Sequence, residues 1–292
     1  MSAPSQRCAE LADSEDEPRH GTAPPAIRWV LVEHSGPWGR RALSGSGLDP
    51  QVAVALGSWA DSSAGRVTLI RRPASSHHSG HRRRWYLADS RPGHETLRGG
   101  CFADERELLD VLDGAAPGEP VDDPLYLVCA HGRHDACCAV RGRPVAAALA
   151  TEYPGRTWEC SHIGGDRFAA NLVVLPHGFY YGHVPASEAV ALARAYDDGF
   201  VEPRWLRGRS SIPPAVQAAQ HHARLATGER GVDAFVPRGV ESAGSQQWQV
   251  RLGGPDVVVQ LRERVREVGR PLTCAAVAPG RIRSFELVEP VM

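Results

Sequence analysis

Two short loops carry the residues of this chain that are best suited to bind a metal. In C-A-H-G-R-H-D-A-C-C, eight residues separate Cys129 from Cys138, and in H-I-G-G-D-R-F, three residues separate His162 from Asp166. Thiolates are soft ligands that select iron–sulfur clusters or zinc, and imidazole in place of part of a thiolate set raises the potential of a [2Fe-2S] centre. The two pairs therefore predict an iron–sulfur site held by Cys129, Cys138, His162 and Asp166.

Zinc is the main alternative to the cluster at this site. Two cysteines, one histidine and one carboxylate form an acceptable zinc set, but structural zinc sites usually have a C-x2–4-C spacing. The longer separation of Cys129 and Cys138 favours a loop that wraps around a larger inorganic core. Gly164 and Gly165 would allow backbone N–H groups to approach inorganic sulfide. We therefore expect an iron–sulfur cluster as the cofactor, with zinc or no metal as the alternatives.

The cysteine loop could instead work without a metal. Cys129 with Cys137 or Cys138 would then form a reversible disulfide, and the N-terminus of a helix that begins near Pro144 would stabilise the thiolate. A thiol–disulfide oxidoreductase and a zinc-stabilised interaction module are thus the alternatives to an electron carrier. Because adjacent residues rarely point at the same metal, Cys137 is predicted to be a packed thiol.

Five further residues have the right chemistry but no metal-binding spacing. His131 and His134, inside the cysteine loop, are either donors to the metal ligands or solvated loop residues. Cys101, Cys160 and Cys274 are scattered, show no C-x-x-C, and are predicted to be buried structural thiols.

Composition excludes several other kinds of chemistry. All 33 basic residues are arginine, so the chain has no lysine for a P-loop or for Schiff-base catalysis. G-x-S-x-G, H-E-x-x-H and G-x-G-x-x-G are absent, and no carboxylate pair for sugar hydrolysis can be recognised. The net charge of -1 gives no field that attracts nucleic acid or anionic lipid. We expect an electron-transfer protein in preference to a hydrolase, with an unknown redox partner protein and with neither nucleic acid nor a membrane as a partner.

The ends of the chain and its cysteine usage predict a compartment. The N-terminus has no apolar signal region, no later stretch is long enough for a membrane span, and the seven cysteines do not form a disulfide framework. We therefore predict a cytoplasmic protein. The basic run at residues 77–84 is interpreted as a solvated hairpin tip, and docking of an acidic partner is its other interpretation.

Four segments are predicted to position the two loops. Residues 1–26 are acidic and rich in Pro, Ser and Ala, which predicts an arm that is mostly mobile. Alternating strands predict an N-terminal α/β module at 27–118. A connector rich in Pro, Gly and Asp precedes a second unit at 121–206. Residues 209–292 predict a helix followed by a β-hairpin.

The unit at 121–206 contains both loops. The strand L-Y-L-V runs into the cysteine loop, and a helix is predicted to start at Pro144, in its first turn. The strand T-W-E-C runs into the H-I-G-G-D loop, and two more strands and a closing helix follow. The order β-α-β-β-α is that of a thioredoxin-like domain, so the predicted fold class is α/β: a thioredoxin-like ferredoxin domain between an α/β module and a C-terminal segment of a helix and β-strands.

Three motifs, in order, are similar to signatures of a known family. They are G-T-A-P-P-A-I-R-W-V-L-V-E-H-S-G-P-W-G at 21–39, V-C-A-H-G-R-H-D-A-C-C-A-V-R-G at 128–142, and S-H-I-G-G-D-R-F-A-A-N-L-V-V-L-P-H-G-F-Y-Y-G-H-V at 161–184. On these residues the chain resembles the sucrase/ferredoxin-like proteins, relatives of thioredoxin-like ferredoxins, over most of 21–206. The resemblance implies a [2Fe-2S] cluster, whereas the residues themselves give no support to the word sucrase.

The same resemblance implies a ligand set of two cysteines and two histidines. Cys129, Cys138 and His162 match three of the four positions, and Asp166 stands where the better-characterised members have the second histidine. A carboxylate oxygen is harder than imidazole and carries a charge, so as a ligand Asp166 should favour the ferric state and lower the potential.

Overall fold

The computed structural model describes residues 6–73 and 82–291. These residues form a ten-stranded mixed sheet, a four-stranded antiparallel sheet and seven α-helices. The α/β class predicted from the sequence is therefore confirmed. Most of the basic run at 77–84 lies outside the described residues.

The first half of the large sheet is built around strand β1 (Arg28–Glu33), which is buried along most of its length. It pairs in parallel with β2 (Gly65–Arg71) and antiparallel with β3 (Arg83–Asp89). The alternating segments predicted these strands, but not how they pair. The remaining elements of this half are β4 (Thr96–Phe102), β5 (Glu119–Pro120), α2 (Ala42–Gly45), α3 (Pro50–Ser62) and α4 (Glu107–Leu112).

Helix α3 was not predicted, although its start has a recognisable signal. The Asp49 carboxylate accepts hydrogen bonds from the backbone N–H groups of Gln51 and Val52, and Pro50 takes the first helical position. Asp before Pro at a helix start satisfies backbone donors that would otherwise lack partners.

The second half of the sheet has the strand arrangement of a thioredoxin-like unit. Its strand order is β7-β6-β8-β9, with β6 parallel to β7 and antiparallel to β8. These elements, predicted from the order β-α-β-β-α, are β6 (Leu125–Cys129), α5 (Ala136–Glu152), β7 (Thr157–Cys160), β8 (Leu172–Leu175), β9 (Phe179–Tyr181) and α6 (Ala186–Asp197). A 3-10 turn, η1 (Asp166–Phe168), precedes β8, and β10 (Leu206–Arg209) pairs with β9.

The two halves share one sheet. Strand β2 pairs antiparallel with β7 through Ile70 with Cys160 and Arg71 with Glu159. The predicted boundary between 27–118 and 121–206 therefore falls inside a continuous sheet.

Helix α5 begins earlier than predicted. The Asp135 side chain accepts a hydrogen bond from the Cys137 N–H at 2.8 Å and caps a helix that starts at Ala136, so Pro144 lies inside the helix. The prediction that Pro144 would lie in the first turn is wrong, because a favourable cap upstream outweighs the one hydrogen bond that an exposed proline removes. The consequence is that Cys137 and Cys138 both lie in the first turn of α5.

Substitution of Gly142 tests how closely α5 packs on the strand that ends at Cys129. An added Cβ at Gly142 would lie 2.0 Å from the carbonyl oxygen of Cys129. We expect Gly142→Ala to lower the free energy of unfolding by about 1–3 kcal/mol, since helix and strand must separate. Gly57→Ala is the control, because Gly57 lies in α3 with open space around it and alanine there should stabilise by about 1 kcal/mol. Urea unfolding of both variants measures this, and equal midpoints would contradict it.

The N-terminal segment is packed where it was predicted to be mobile. Residues Cys8–Ser14 form helix α1, in which Cys8, Ala9 and Ala12 are buried. Further on, Glu17 is 3% exposed and forms ion pairs with Arg167 and Arg270. The prediction of a mostly mobile arm at 1–26 is therefore wrong for this part, because three small apolar residues on one helix face and a doubly paired carboxylate suffice to dock it.

The C-terminal segment combines a helix with the smaller sheet. Helix α7 (Pro214–Thr227) and the β12–β13 hairpin agree with the prediction, whereas the two outer strands were not predicted. The sheet has the order β11 (Val236–Ser242), β12 (Gln247–Gly253), β13 (Val257–Val268) and β14 (Gly280–Leu287). Cys274 lies in the connection from β13 to β14. Every helix among the described residues is too short or too polar to cross a bilayer.

Two histidines at the contact between the N-terminal segment and α7 make stability depend on pH. The rings of His20 and His221 stack with centroids 4.5 Å apart, and burial lowers the pKa of His20 to about 4 and that of His221 to about 3. Unfolded histidine has a pKa of about 6.5. Between about pH 6.5 and 4 the unfolded chain therefore binds more protons than the folded chain, so the free energy of unfolding should fall as the pH falls through this range.

The variant His221→Gln checks this expectation. It should flatten the pH dependence of the unfolding midpoint below about pH 6.5, since one titrating group is removed. His94→Gln, at an exposed histidine, is the control and should keep the original slope. Identical slopes in the wild-type chain and His221→Gln would show that this histidine does not contribute.

Candidate metal centre

The two loops identified in the sequence lie side by side because of the sheet. Cys129 is the last residue of β6 and His162 follows the end of β7, and these strands run parallel, so both loops leave the same edge. Cys138 comes from the first turn of α5, and Asp166 begins η1. The topology thus brings together all four residues that the sequence singled out.

The ligand atoms of the four residues form one group. The sulfur atoms of Cys129 and Cys138 and a ring nitrogen of His162 lie within 4.8 Å of one another. Asp166 Oδ1 lies 3.1 Å from Cys138 Sγ and 2.9 Å from His162 Nδ1. Two soft thiols, one imidazole and one carboxylate in a buried site suit a metal centre. This group could hold a metal.

The protonation states of the group are mutually dependent. Hydrogen bonding from the Cys138 thiol, with His162 nearby, holds the pKa of Cys129 well below its usual range, while this same contact and burial raise the pKa of Cys138. Burial opposes protonation of His162, but Asp166 and Cys129 outweigh it and raise its pKa to about 9. Metal binding must therefore displace the protons that this group holds, because metal ligands bind in their deprotonated forms.

His131 positions the second loop and is not a free donor. Its Nδ1 accepts a hydrogen bond from the backbone N–H of His162, so its Nε2–H donates to the Gly39 carbonyl oxygen at 2.7 Å. The ring also meets the edge of Trp38. The S-G-P-W-G turn of the N-terminal half thus fixes the orientation of His131, which holds the backbone at His162.

The two glycines of the second loop are needed for its path. Gly164 has φ +98° and Gly165 has φ +83°, values that favour glycine. A Cβ at Gly164 would lie 2.6 Å from Pro24, and one at Gly165 would lie 2.6 Å from the guanidinium of Arg207. These contacts with the surrounding protein, which the sequence did not indicate, account for both glycines.

Arg207 holds this loop from beneath. Arg207 is 2% exposed, and its guanidinium donates to the carbonyl oxygens of Gly164 (2.9 Å) and Thr22 (2.6 Å) and to Asn171 Oδ1 (2.7 Å). Asn171 in turn donates to the Gly165 carbonyl oxygen. Burial lowers the pKa of Arg207 to about 9, and among the described residues no carboxylate forms an ion pair with it. A buried cation that has carbonyl acceptors but no carboxylate partner suits the neighbourhood of an anionic centre.

His134 lies next to the metal-binding group, whereas the sequence left open whether it contacts the ligands or is solvated. Its ring stacks on that of His162 with centroids 3.7 Å apart, and its Nε2 lies 3.6 Å from Asp166 Oδ2. His134, His162 and Asp166 form a further group that could hold a metal. The signal for His134 was its place inside the cysteine loop, but spacing alone could not tell it from a solvated residue.

The other cysteines fall outside this group. Cys137 points away from Cys138 toward Cys8 and Cys274, and Cys160 is buried as predicted. Cys101 and Cys274 are exposed, so the prediction that they are buried is wrong. For Cys101 the reason is that its side chain lies on the outward face of β4.

The fold and the site define an α/β protein with a thioredoxin-like strand order and a Cys/His/Asp group that could hold a metal. The family model for sucrase/ferredoxin-like proteins matches residues 19–208. The chain therefore belongs to the sucrase/ferredoxin-like family, as its three motifs indicated. Neither the curated proteins nor the solved structures contain a match.

Proposed function

We propose that the protein is a ferredoxin-like electron carrier or redox sensor that binds [2Fe-2S] between its two loops. The observation that carries this proposal is the convergence of the two motif loops, which brings Cys129, Cys138 and His162 into one group with Asp166 in contact. Family membership supports the same cofactor. When bound, the cluster supplies one-electron chemistry, and the chain's own residues hold and orient it.

The burial of the ligands suits electron exchange at one end of the site. The sulfur-bearing residues are at most 1% exposed, whereas the side chains of His162 and His134 are 23% and 34% exposed. The histidine end therefore faces solvent, and a redox partner would approach there. The thiol end lies in the core, where exclusion of water protects iron–sulfur bonds.

The same burial argues against a thiol–disulfide oxidoreductase. An exchange reaction needs an accessible thiolate that can attack a second sulfur. Cys129, Cys137 and Cys138 are each at most 1% exposed, so none of them can be reached by a protein disulfide in this conformation.

A single zinc ion at the same site is the second candidate, and one observation favours it. All three ligand atoms lie within 4.8 Å of one another, which suits ligands on one ion. A [2Fe-2S] core is larger than a single ion, because two irons and two sulfides lie between its ligands. The two loops would have to move apart to accept it. Metal analysis separates these candidates.

Anaerobic purification followed by spectroscopy tests the proposal. The full chain should be red-brown, contain about two iron and two sulfide per chain, and lose its visible bands with dithionite. The reduced protein should give an EPR signal of a cluster with partly non-sulfur ligands. Colourless protein that takes up zinc but no iron and sulfide during anaerobic reconstitution would overturn the cluster and support the second candidate.

Asp166→His tests whether the carboxylate is a ligand. If Asp166 binds iron, replacing a charged hard ligand with neutral imidazole should raise the reduction potential by on the order of 100 mV. Asp113→His, at an exposed aspartate, is the control and should leave the potential unchanged. A redox titration of the three proteins measures this, and equal potentials would remove Asp166 from the ligand set.

A further inference from the structure

A second group of thiols lies on the other side of the first turn of α5. The sulfur atoms of Cys8, Cys137 and Cys274 are separated by 3.6 Å (Cys8 to Cys137), 3.4 Å (Cys137 to Cys274) and 3.5 Å (Cys274 to Cys8). They come from α1, from α5 and from the connection between β13 and β14. Three segments that are far apart in the chain therefore place their sulfur atoms in a nearly equilateral triangle.

The size of this triangle fits one metal ion. A tetrahedral ion with Zn–S bonds of about 2.3 Å separates its sulfur ligands by about 3.8 Å. A disulfide needs about 2.05 Å, much less than any of the three distances. Ligands on different irons of a cluster lie farther apart, because the core separates them. The observed spacing is therefore close to that of three thiolates on a single tetrahedral ion.

Asp135 provides a fourth donor over the triangle. Both of its carboxylate oxygens lie 3.8 Å from Cys8 Sγ, and all four residues could hold one ion together. The backbone N–H groups of Cys137 and Cys274 donate to the two oxygens at 2.8 and 2.6 Å. These bonds fix the carboxylate in place and leave lone pairs for a metal. Three cysteines and one carboxylate are an acceptable zinc set.

One sulfur of the triangle lies where negative charge is stabilised, and the triangle is open to solvent at one corner. Cys137 lies at the N-terminus of α5, where the helix dipole stabilises a thiolate. Cys8 and Cys137 are buried and Cys274 is exposed, so a metal has a way in from solvent.

We propose that Cys8, Cys137 and Cys274, with Asp135, bind one structural zinc ion. Binding replaces the three thiol protons, which leave to solvent, by three Zn–S bonds, and needs no redox step. The ion ties α1 and the β13–β14 connection to α5. Cys137 and Cys138, adjacent in sequence, thus belong to two separate sites on opposite sides of one helix turn.

The zinc also supports the back of the candidate metal centre. Helix α1 packs against η1, which starts at Asp166, and Glu17 joins Arg167 of η1 to Arg270 near the zinc site. The two sites are nevertheless chemically independent, because they share no ligand. The proposal therefore stands or falls without the iron–sulfur cluster.

Zinc analysis of the reduced full chain and its variants tests the proposal. Wild-type protein supplied with zinc and passed through gel filtration should retain about one zinc ion at this site, and cobalt(II) in its place should show the absorption of a tetrahedral thiolate complex. Cys274→Ser should lower the zinc affinity at least about tenfold. Because Cys274 is exposed, this variant is the one least expected to impair folding.

Two matched variants assign the ion to this site. Cys101→Ser, at the other exposed cysteine, should retain the zinc. Cys129→Ser, in the other site, should also retain it, while losing any iron. Zinc that is absent from the wild-type chain, or equally retained by Cys274→Ser, would overturn the proposal. A disulfide between two of the three cysteines in anaerobically purified protein without zinc would overturn it as well.

Discussion

Cys138→Ser should abolish binding of the iron–sulfur cluster. The Cys138 sulfur is buried between Cys129 and Asp166, 3.1 Å from the carboxylate, so no water or neighbouring thiol can replace it. A serine hydroxyl is a hard, weakly acidic donor that iron in a cluster does not select. We expect iron and sulfide per chain to fall at least about tenfold, with loss of the visible absorption bands.

Cys137→Ser is a stringent control for this variant. Cys137 precedes Cys138 in the same helix turn and is equally buried, but its sulfur points to Cys8 and Cys274. The substitution has the same chemistry at the adjacent position of α5. Cys137 belongs to the proposed zinc site and not to the cluster, so a folded Cys137→Ser chain should keep its iron and sulfide. Unfolding curves of both variants show whether each chain is folded. Iron that remains in Cys138→Ser, or is lost equally from both variants, would contradict the assignment of Cys138 as a ligand.

Local patterns predicted the parts of the site that depend on neighbours in the sequence. The spacing of Cys129 and Cys138, the pair His162 and Asp166, and the strand order around them lie in one stretch of chain. Because parallel strands end at the same edge of a sheet, the convergence of the two loops followed from that order. The family motifs strengthened this prediction, since they contain the same residues.

Long-range contacts could not be predicted in the same way. Arg207 and Thr22, which hold the second loop, are separated from each other by 185 residues, and Cys8 and Cys274 by 266 residues. A single sequence has no signal for such pairs. The N-terminal arm was predicted from its mean composition, but docking depends on a few positions: Cys8, Ala9 and Ala12 on one face of α1. Averages over a segment hide such positions.

The start of helix α5 also differs between the prediction from sequence and the structure. Pro144 pointed to a helix start, whereas the true start depends on Asp135, which accepts from Cys137 and also from the backbone N–H of Cys274. The cap is thus part of the proposed zinc site as well as of the helix. Asp135 could therefore not be recognised as the cap from local sequence alone, because its contact with Cys274 depends on the folded chain.

Arg207→Met should destabilise the protein more than any of the substitutions proposed above. Methionine keeps an unbranched, apolar side chain at this position, but it lacks the guanidinium, so it loses all of its donors and its contacts with the rings of Phe168 and Tyr180. The buried carbonyl oxygens of Gly164 and Thr22 then lack their partners. We expect the free energy of unfolding to fall by about 3–5 kcal/mol in urea unfolding at neutral pH. Arg204→Met, at an exposed arginine three residues earlier and outside β10, should change it by less than about 0.5 kcal/mol.

The cofactor content of folded Arg207→Met shows what the buried charge does for the metal centre. The guanidinium lies under the Gly164–Gly165 turn that places His162 and Asp166, and it carries a positive charge near thiolates and a carboxylate. Loss of the loop support should weaken cluster binding. Loss of the positive charge should lower the reduction potential, because the oxidised cluster, which is more positive than the reduced one, is then repelled less. If stability falls while iron content and potential stay unchanged, Arg207 supports the fold alone, and the anionic centre does not depend on its charge.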